Sequence, residues 1–328
     1  GFDLRSKCIK RHVFIYKHAW YSLCMLTRYN HRDIVWVDLE SPTPDEVRSL
    51  MDEFAIAPAV AEELLAPSLH PCIEEFSNYA YVVLHFPAAR HSHTTSAEQE
   101  IDFVVGERFI ITTHYDVVDP LHTFSKLFEV HALLDRDGVE ASGGELFLTM
   151  LEKLYEGVSN ELDYLESRLA EVENNIFEGR EQQMVRGLSD IGRDLLNFKR
   201  ALIAHRDNIV SLDNVVSKLF GDTLVPRART VIADYFRIHT KLQTHTESLR
   251  ELRETNSALL STKQNQIMKN LTIVAATLYP MTLIVGLFGM NTEFTPLVGQ
   301  AYDFWMVIGL VSIATGLLFL YFKGKKWL

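Results

Sequence analysis

Residues 271–290 read LTIVAATLYPMTLIVGLFGM and contain no charged side chain. An α-helix rises about 1.5 Å per residue, so a helix of this length spans about 30 Å, the hydrocarbon thickness of a bilayer. After 13 further residues a second uncharged run, FWMVIGLVSIATGLLFLYF, occupies 304–322. A soluble protein of this size can bury one such helix, but two in succession predict a transmembrane hairpin joined by a loop at 291–303.

The charges around the two runs predict which way the hairpin crosses the membrane. The connecting loop has no Lys or Arg and carries the acids Glu293 and Asp303. Five lysines lie before the first run or after the second: Lys263, Lys269, Lys323, Lys325 and Lys326. The positive-inside rule therefore places both termini in the cytoplasm and the loop outside. The first residues contain no apolar core of signal-peptide length, so we expect a protein of the cell (inner) membrane with a basic cytoplasmic tail at 323–328.

The composition excludes several classes of function. The 328 residues include 43 Asp and Glu against 32 Lys and Arg, a formal net charge of −11, so no basic stripe is available for nucleic acid. Three cysteines without CxxC spacing exclude a disulfide framework and a cysteine zinc site. The sequence has no glycine-rich phosphate loop and no Ser/His/Asp signature, so we expect neither an enzyme nor an organic substrate.

The first part of the chain, 1–143, has the pattern of a cytoplasmic α/β domain. Short runs of β-branched or aromatic residues predict strands at 12–16, 34–39, 79–86, 101–105 and 108–113. The last two strands are expected to form a hairpin with its turn at Gly106 and Glu107. A helix is predicted to start after Thr43. Thr43 can act as N-cap, Pro44 suits the first helical position, and Glu46 completes a capping box.

From residue 144 to 226 apolar residues recur in steps of three and four, which predicts two long helices. The first series runs from Leu151 to Ile176 and the second from Leu188 to Leu219. A turn at Gly179 lies between them, so the helices should pack antiparallel as a coiled coil. The first helix is rich in carboxylates, which fit either a solvated coiled-coil face or a negative collar that attracts cations near a pore mouth.

After Pro226 the chain contains no helix breaker until Pro280, which lies inside the first apolar run. A heptad-like stripe continues from Tyr235 to Leu259. These features predict one helix of about 60 residues, roughly 90 Å long, that runs as a cytoplasmic stalk over 227–270 and then enters the bilayer.

The end of the chain carries several short motifs in a fixed order. They are NQIMKNLT at 265–272, YPMT at 279–282, GLF at 286–288, GMN at 289–291 and KKWL at 325–328. A bare GMN tripeptide is uninformative, but GMN at the end of an apolar run, before a short acidic loop, a second run and a basic terminus, is highly specific. In these motifs the chain resembles the CorA family of divalent-cation channels, strongly over 265–328 and in layout over the rest.

The resemblance implies a homopentamer in which five copies of the first span line one pore and the second spans lie outside. Gly289, Met290 and Asn291 are then the selectivity filter, where a ring of asparagines receives hydrated Mg²⁺, or Co²⁺ or Ni²⁺. Mg²⁺ holds its inner waters tightly, and neutral amide and carbonyl oxygens can hydrogen-bond these waters without trapping the ion. The alternative is that Gly289 is an ordinary C-cap glycine.

One face of the first span has the composition expected of a pore lining. Its residues recur every three or four positions, with Leu271 beside them: Asn265, Met268, Thr272, Ala275, Tyr279, Thr282, Gly286 and Gly289. We expect Met268 and Leu271 to form a hydrophobic gate that closes by dewetting, and Asn265 and Thr282 to form polar rings. The alternative is that this face packs against the second span. Tyr279 departs from the methionine often found before this proline in the family.

The resemblance also implies a brake, in which Mg²⁺ bound by acidic side chains between cytoplasmic subunits holds the pore shut. The candidate ligands are Asp234 on the stalk and acids of the N-terminal domain whose positions the spacing does not give. The alternative for each is an ordinary exposed surface acid. A brake is needed because a doubly charged ion gains about 4.6 kcal/mol per 100 mV on entering an inside-negative cell. Glu293 follows the family pattern, whereas TPL at 295–297 replaces the family's MPEL and leaves the choice of ion open.

Three further hypotheses stay open. His91 and His93 form an HxH pair, close to His85 in sequence, that could bind Zn²⁺. A zinc-preferring transporter of the same superfamily is an alternative, although that branch tends to have a different residue where this chain has Met290. From another class, a membrane-anchored coiled-coil scaffold or sensor without a pore also explains the heptads, although an anchor needs no polar face.

Overall fold

The computed structural model describes residues 26–68, 71–88, 98–116, 118–134, 142–290 and 302–325. The chain forms two compact units. The first unit comprises Gly1–Asn174 with Arg186–Arg250, and the second comprises Asn175–Val185 with Glu251–Leu328. Several predicted features lie outside the described residues: the strand at 12–16, the His91/His93 pair, Asn291, Glu293 and Lys326.

The first unit contains a six-stranded sheet with the order β1-β2-β6-β5-β4-β3. Its strands are β1 Leu26–His31, β2 Ile34–Glu40, β3 Cys72–Glu75, β4 Tyr79–Pro87, β5 Glu98–Gly106 and β6 Phe109–His114. β2 and β6 pair in parallel and the other neighbours pair antiparallel. The strands predicted at 34–39 and 79–86 and the β5–β6 hairpin are confirmed, with the hairpin turn at Glu107 and Arg108.

The two strands that the sequence did not predict, β1 and β3, are the edges of the sheet. Their sequences, LTRYNH and CIEE, are mostly polar, and their side chains are largely exposed or half-buried. An edge strand pairs with a single neighbour and needs no continuous apolar run. The pattern of apolar residues therefore did not predict these two strands.

Two short helices, α1 Pro44–Phe54 and α2 Pro58–Glu63, cover one face of the sheet. The predicted capping box is present: the Thr43 backbone N–H donates to Glu46 Oε2 at 2.8 Å, and the Glu46 N–H donates to Thr43 Oγ1 at 3.4 Å. Ala55 ends α1 in a left-handed conformation, with φ 53°. The core beneath these helices is formed by fully buried side chains such as Leu50, Leu64 and Tyr81.

The opposite face of the sheet packs against α3 Asp119–Leu134 and the start of the long helix α4 Gly143–Phe177. Trp36 is fully buried there and meets the ring of Phe128 edge-on at 5.6 Å. Its indole N–H donates to Thr112 Oγ1 at 2.9 Å, and the Thr112 hydroxyl donates to Asp38 Oδ1 at 2.5 Å. A polar group buried in an apolar core needs such a partner.

The second helix of the predicted hairpin is interrupted. Its apolar series is divided among α5 Glu181–Ile203, α6 His205–Ile209 and α7 Leu212–Phe220. The expectation of one continuous helix up to Leu219 was therefore wrong. At the second break, the Ser211 N–H and hydroxyl both donate to the carbonyl of Asn208, at 3.1 and 2.7 Å, so a local turn replaces the helical hydrogen bond.

After a 3₁₀ turn, Asp222–Leu224, the long predicted helix is confirmed as α8 Val225–Phe288, 64 residues without interruption. Pro226 lies in its first turn, where no helical N–H is needed. The last helix, α9 Asp303–Gly324, carries the second apolar run. α8 and α9 are both long and apolar enough to cross a bilayer.

Candidate ion-conducting segment

The first apolar run is the last part of α8, and the helix continues through Pro280. Proline has no N–H, so the carbonyl of Ala276 loses its usual helical donor. Just beyond, the Thr282 hydroxyl donates to the carbonyls of Tyr279 at 2.9 Å and Leu278 at 3.2 Å. The Thr282 hydroxyl thus satisfies its own need for a hydrogen-bond acceptor within the helix, at carbonyls other than that of Ala276.

Most of the predicted pore face is exposed in the single chain. Met268, Leu271 and Tyr279 are 54, 60 and 74 % exposed. Asn265, Thr272, Thr282 and Gly286 are exposed as well, and Ala275 is half-buried. A different stripe of the same helix is half-buried: Ile273, Ala276, Thr277, Pro280, Met281, Ile284 and Phe288. The helix therefore has one partly covered side and one side on which the predicted pore residues lie open.

The end of the first span is a turn of backbone around Gly289. Its N–H donates to the carbonyl of Val285 at 2.9 Å, and the N–H of Met290 reaches that of Leu287 at 3.5 Å. Gly289 is not in the left-handed conformation of a C-cap glycine, since the positive-φ glycines of the described residues are Gly179 and Gly221. A Cβ at position 289 would lie 3.2 Å from the Val285 oxygen, which is tight. Asn291 itself lies outside the described residues.

The charged residues near the two spans fall into two groups. Lys323 lies in the last turn of α9 and Lys325 directly follows that helix. At the other end of α9, the carboxylate of Asp303, the first residue of the helix, accepts a hydrogen bond from the Phe304 N–H at 2.6 Å. Acids at a helix N-terminus and lysines at its C-terminus both complement the helix dipole.

Lys263 makes a contact that sequence reasoning missed. Its ammonium donates to the carbonyl of Gly179 at 3.0 Å and to Glu181 Oε2 at 2.5 Å. The hydrogen bond from Lys263 holds the pKa of the Glu181 carboxyl below its usual range. The partners are more than 80 residues apart in sequence, so only a register between the helices could have revealed the contact.

Asp234, the predicted regulatory ligand, lies on α8 in the first unit. Its carboxylate pairs with Arg237 on the next turn, Oδ1 to Nη2 at 2.6 Å, and borders a cavity of about 350 Å³ that Glu152 and Glu156 also line. Among the residues that the structure describes, no three His, Cys, Asp or Glu side chains lie close enough to hold a metal ion. A regulatory metal at Asp234 would need ligands from elsewhere.

His85, grouped with His91 and His93 by sequence, is engaged in the sheet. Its Nε2 lies 3.1 Å from the Ser68 carbonyl and 3.1 Å from Glu100 Oε2. Burial would lower the pKa of His85, but the hydrogen bond and charge of Glu100 together raise it. Beside this pair Asp102 is completely buried, and neither of its oxygens has a hydrogen-bond partner within the described ranges. Burial, with the charge of Glu100 added, raises the pKa of Asp102 to about 9.

The family of this chain follows from its match to a known family of transporters. The model of the family described as CorA-like Mg²⁺ transporter protein matches residues 31–325, which is most of the chain. The chain belongs to this family.

Relatives and solved structures agree with this assignment. The putative metal ion transporter YfjQ of Bacillus subtilis is 27 % identical over 313 residues, covering 92 % of this chain and 93 % of the relative. The cobalt/magnesium transport protein CorA of Thermotoga maritima is 24 % identical, covering 87 % of this chain and 80 % of its own. The CorA magnesium transporter structure from Methanocaldococcus jannaschii superposes with a TM-score of 0.78 at 21 % identity, covering 93 % and 95 % of the two chains.

Family membership decides between a transporter and a membrane-anchored scaffold without a pore. The chain is a divalent-cation transporter of the CorA family, and two of its helices are long and apolar enough to cross a bilayer. A coiled-coil scaffold without transport is not favoured. The ion preference and the gating depend on the residues that line the transport path, for which the exposed face of α8 is the candidate.

Proposed function

We propose that five copies of this chain assemble around one pore, lined by the last part of α8, that admits Mg²⁺ and also Co²⁺ and Ni²⁺. The observation that carries this proposal is the open face of α8. Thr272 and Thr282 are polar and exposed within the apolar run, and Asn265 is exposed on the stalk just before it. The threonine hydroxyls donate to carbonyls of their own helix and keep oxygen lone pairs, which can accept hydrogen bonds from the water around an ion on a shared axis.

Gly289, Met290 and Asn291 form the selectivity filter in this proposal. The absence of a left-handed turn at Gly289 means that the glycine is not explained by helix termination. A small residue there lets the backbone come close to the axis, and the Asn291 amide supplies a neutral oxygen. A neutral ring suits a hydrated Mg²⁺, because five carboxylates would bind the ion too tightly for it to leave.

Met268 and Leu271 form the gate on the cytoplasmic side of the filter. Both side chains are large, apolar and more than half exposed in the single chain, so a ring of them narrows an aqueous path and expels water from it. Tyr279 is 74 % exposed. A ring of its phenols narrows the middle of the pore where the family often has methionine.

We place both chain termini in the cytoplasm of a cell (inner) membrane protein. Lys323, Lys325 and Lys326 lie at the cytoplasmic mouth, and Glu293 and Asp303 concentrate cations at the outer one. The membrane potential then drives entry, at about 4.6 kcal/mol per 100 mV for a divalent ion. No chemical fuel is needed.

Intracellular Mg²⁺ closes this pore through Asp234 in our proposal. Asp234 and Arg237 pair within one turn of α8. A divalent cation can compete with Arg237 for the Asp234 carboxylate. Glu152 and Glu156 line the same cavity and pair with Arg227 and Lys153, so a bound cation competes with these basic side chains for the carboxylates. The ligands missing within one chain come from a neighbouring copy.

Ion flux into liposomes tests the proposal. We expect Mg²⁺ uptake by the wild type to fall at least tenfold in Asn291→Ala, about 1.4 kcal/mol of lost stabilisation of the permeating ion. Asn174→Ala, an exposed asparagine on α4, is the matched control and should leave the flux unchanged. Equal flux in both variants would contradict the assigned filter, and uptake of Zn²⁺ ahead of Mg²⁺ would favour the zinc-transporting alternative.

A further inference from the structure

The turn between α4 and α5, here called the hairpin tip (Asn175–Val185), belongs to the second unit together with the membrane-spanning part of α8. Lys263 fixes the tip to α8 by donating to the Gly179 carbonyl and to Glu181. Glu181 is buried, with 5 % of its surface exposed. The contact therefore sets the position of the tip along α8.

That position is close to the membrane. Lys263 precedes the first residue of the uncharged run, Leu271, by eight residues, about 12 Å along the helix. The polar headgroup layer adds about 5–8 Å on each side of the hydrocarbon. Ile267 and Met268, which lie between, are already apolar and exposed. The hairpin tip thus lies beside the outer edge of the headgroup layer.

Helices α4 and α8 run in the same direction. In the first unit Arg227, near the start of α8, donates two hydrogen bonds of 3.0 Å to Glu152 on α4, and Lys241 further along α8 pairs with Asp163 further along α4. The two helices therefore run parallel. In the second unit Phe177, the last residue of α4, lies two residues before Gly179, which Lys263 contacts ahead of the membrane span.

The surface of the tip is apolar where it is open. Phe177 is 67 % exposed and Val185 is 51 % exposed. Within the tip Arg180 pairs with Glu178, and Glu181 pairs with Lys263 of α8, so the tip and Lys263 together carry no net charge. Single exposed apolar residues are common on soluble surfaces, but an exposed phenylalanine beside a membrane boundary is the arrangement of an interfacial anchor.

We infer that the hairpin tip is a lipid-contacting surface whose side chains of Phe177 and Val185 enter the headgroup region of the cytoplasmic leaflet. The anchor is separate from the spans and from the filter. It makes the α4–α5 hairpin a second point of attachment to the bilayer, beside the end of the stalk. The inference needs α8 to span the membrane, but it does not depend on which ion is transported.

Tryptophan scanning in the full chain tests the inference. Phe177→Trp and Val185→Trp report on the tip, and Ile203→Trp, at a residue of α5 that is 56 % exposed, is the matched control. Each variant is reconstituted in phosphatidylcholine and phosphatidylglycerol liposomes, with and without brominated acyl chains. The wild-type signal of the four native tryptophans is subtracted.

The expected result is that bromine quenches the added fluorescence several-fold more at 177 and 185 than at 203, while iodide in the buffer quenches the control more strongly. The inference is overturned if tip and control respond alike. It is also overturned if the tip is shielded from both quenchers, because another copy of the chain, and not lipid, then covers it.

Discussion

The two units of this protein bury their apolar side chains in different ways. In the first unit Trp36, Tyr81 and Leu84 have no accessible surface, and the sheet is covered on both faces. In the second unit no residue of 257–290, a stretch described throughout, is buried, although this part contains the most apolar run of α8. One chain therefore completes the core of the first unit but not that of the second, whose apolar surface needs lipid and other copies of the chain.

The largest predicted effect tests that difference with one substitution in each unit. Leu84→Ala removes a fully buried side chain from the interior strand β4 and should cost about 3–5 kcal/mol of unfolding free energy. Leu283→Ala removes a side chain that is 64 % exposed on α8 and should change the stability by less than about 0.5 kcal/mol.

Thermal unfolding of the detergent-solubilised chain, followed by circular dichroism, measures both effects. At about 2–4 °C per kcal/mol, the midpoint should fall by about 6–20 °C for Leu84→Ala and hardly at all for Leu283→Ala. Equal losses would show that the second unit also buries its leucines, through the second span or through a neighbouring copy that persists in detergent.

The sequence was most informative where the physical constraint is local or extreme. The uncharged runs, the Thr43 capping box and the long helix through 227–270 follow from residues that are neighbours in the chain, and the structure has all three. The GMN motif placed the candidate filter at the end of α8, where Gly289 and Met290 lie. The role of these residues stays a prediction.

Features that depend on distant partners could not be predicted. His205 interrupts the apolar series of the hairpin because its ring bonds Tyr155, 50 residues away, and the backbone of His85, 120 residues away. Asp102 follows an isoleucine and precedes FVVG, a strand pattern that gives no sign that the carboxyl is buried. Which residue lies opposite another across two helices or a sheet is set by register, and register was not available from spacing alone.

A second prediction uses the burial of His205 in the first unit. Its Nδ1 accepts from the Tyr155 hydroxyl at 3.1 Å and its Nε2 donates to the His85 carbonyl at 2.7 Å. Burial lowers its pKa to about 4, so the folded ring is neutral at pH 7. Unfolding exposes a histidine with a pKa near 6.5. The unfolded chain therefore binds the extra proton first, and stability is fully present above pH 6.5 and is lost as pH falls towards 4, by up to about 3 kcal/mol.

The difference between wild type and His205→Asn isolates this effect from other titrating groups. We expect the midpoint of the wild type to fall more steeply between pH 7 and pH 4.5, whereas His205→Asn, already less stable at pH 7, shows a flatter profile. Parallel profiles would mean that the ring is protonated in the folded state. The first unit would then not be dry enough around His205 to keep it neutral.

The smallest predicted effect concerns the second unit, where local geometry takes the place of burial. Gly179 has φ +89° in the turn of the hairpin tip, a conformation that an L-residue adopts at a cost of about 1–2 kcal/mol. Gly179→Ala should therefore open the tip about 5- to 30-fold more often. Gly187→Ala is the control, because that glycine is helical and a Cβ would lie at an ordinary 3.4 Å from Val172.

Limited trypsin digestion reads this opening at Arg180, which directly follows Gly179 in the turn. Cleavage there should accelerate in Gly179→Ala while global unfolding stays within a few degrees of wild type. If the rate is unchanged, backbone strain does not control the tip, and the ion pair of Lys263 with Glu181 is enough to hold it. If instead the whole chain melts earlier, the tip is coupled to folding of the protein, and the second unit is less dependent on its surroundings than its exposed helices indicate.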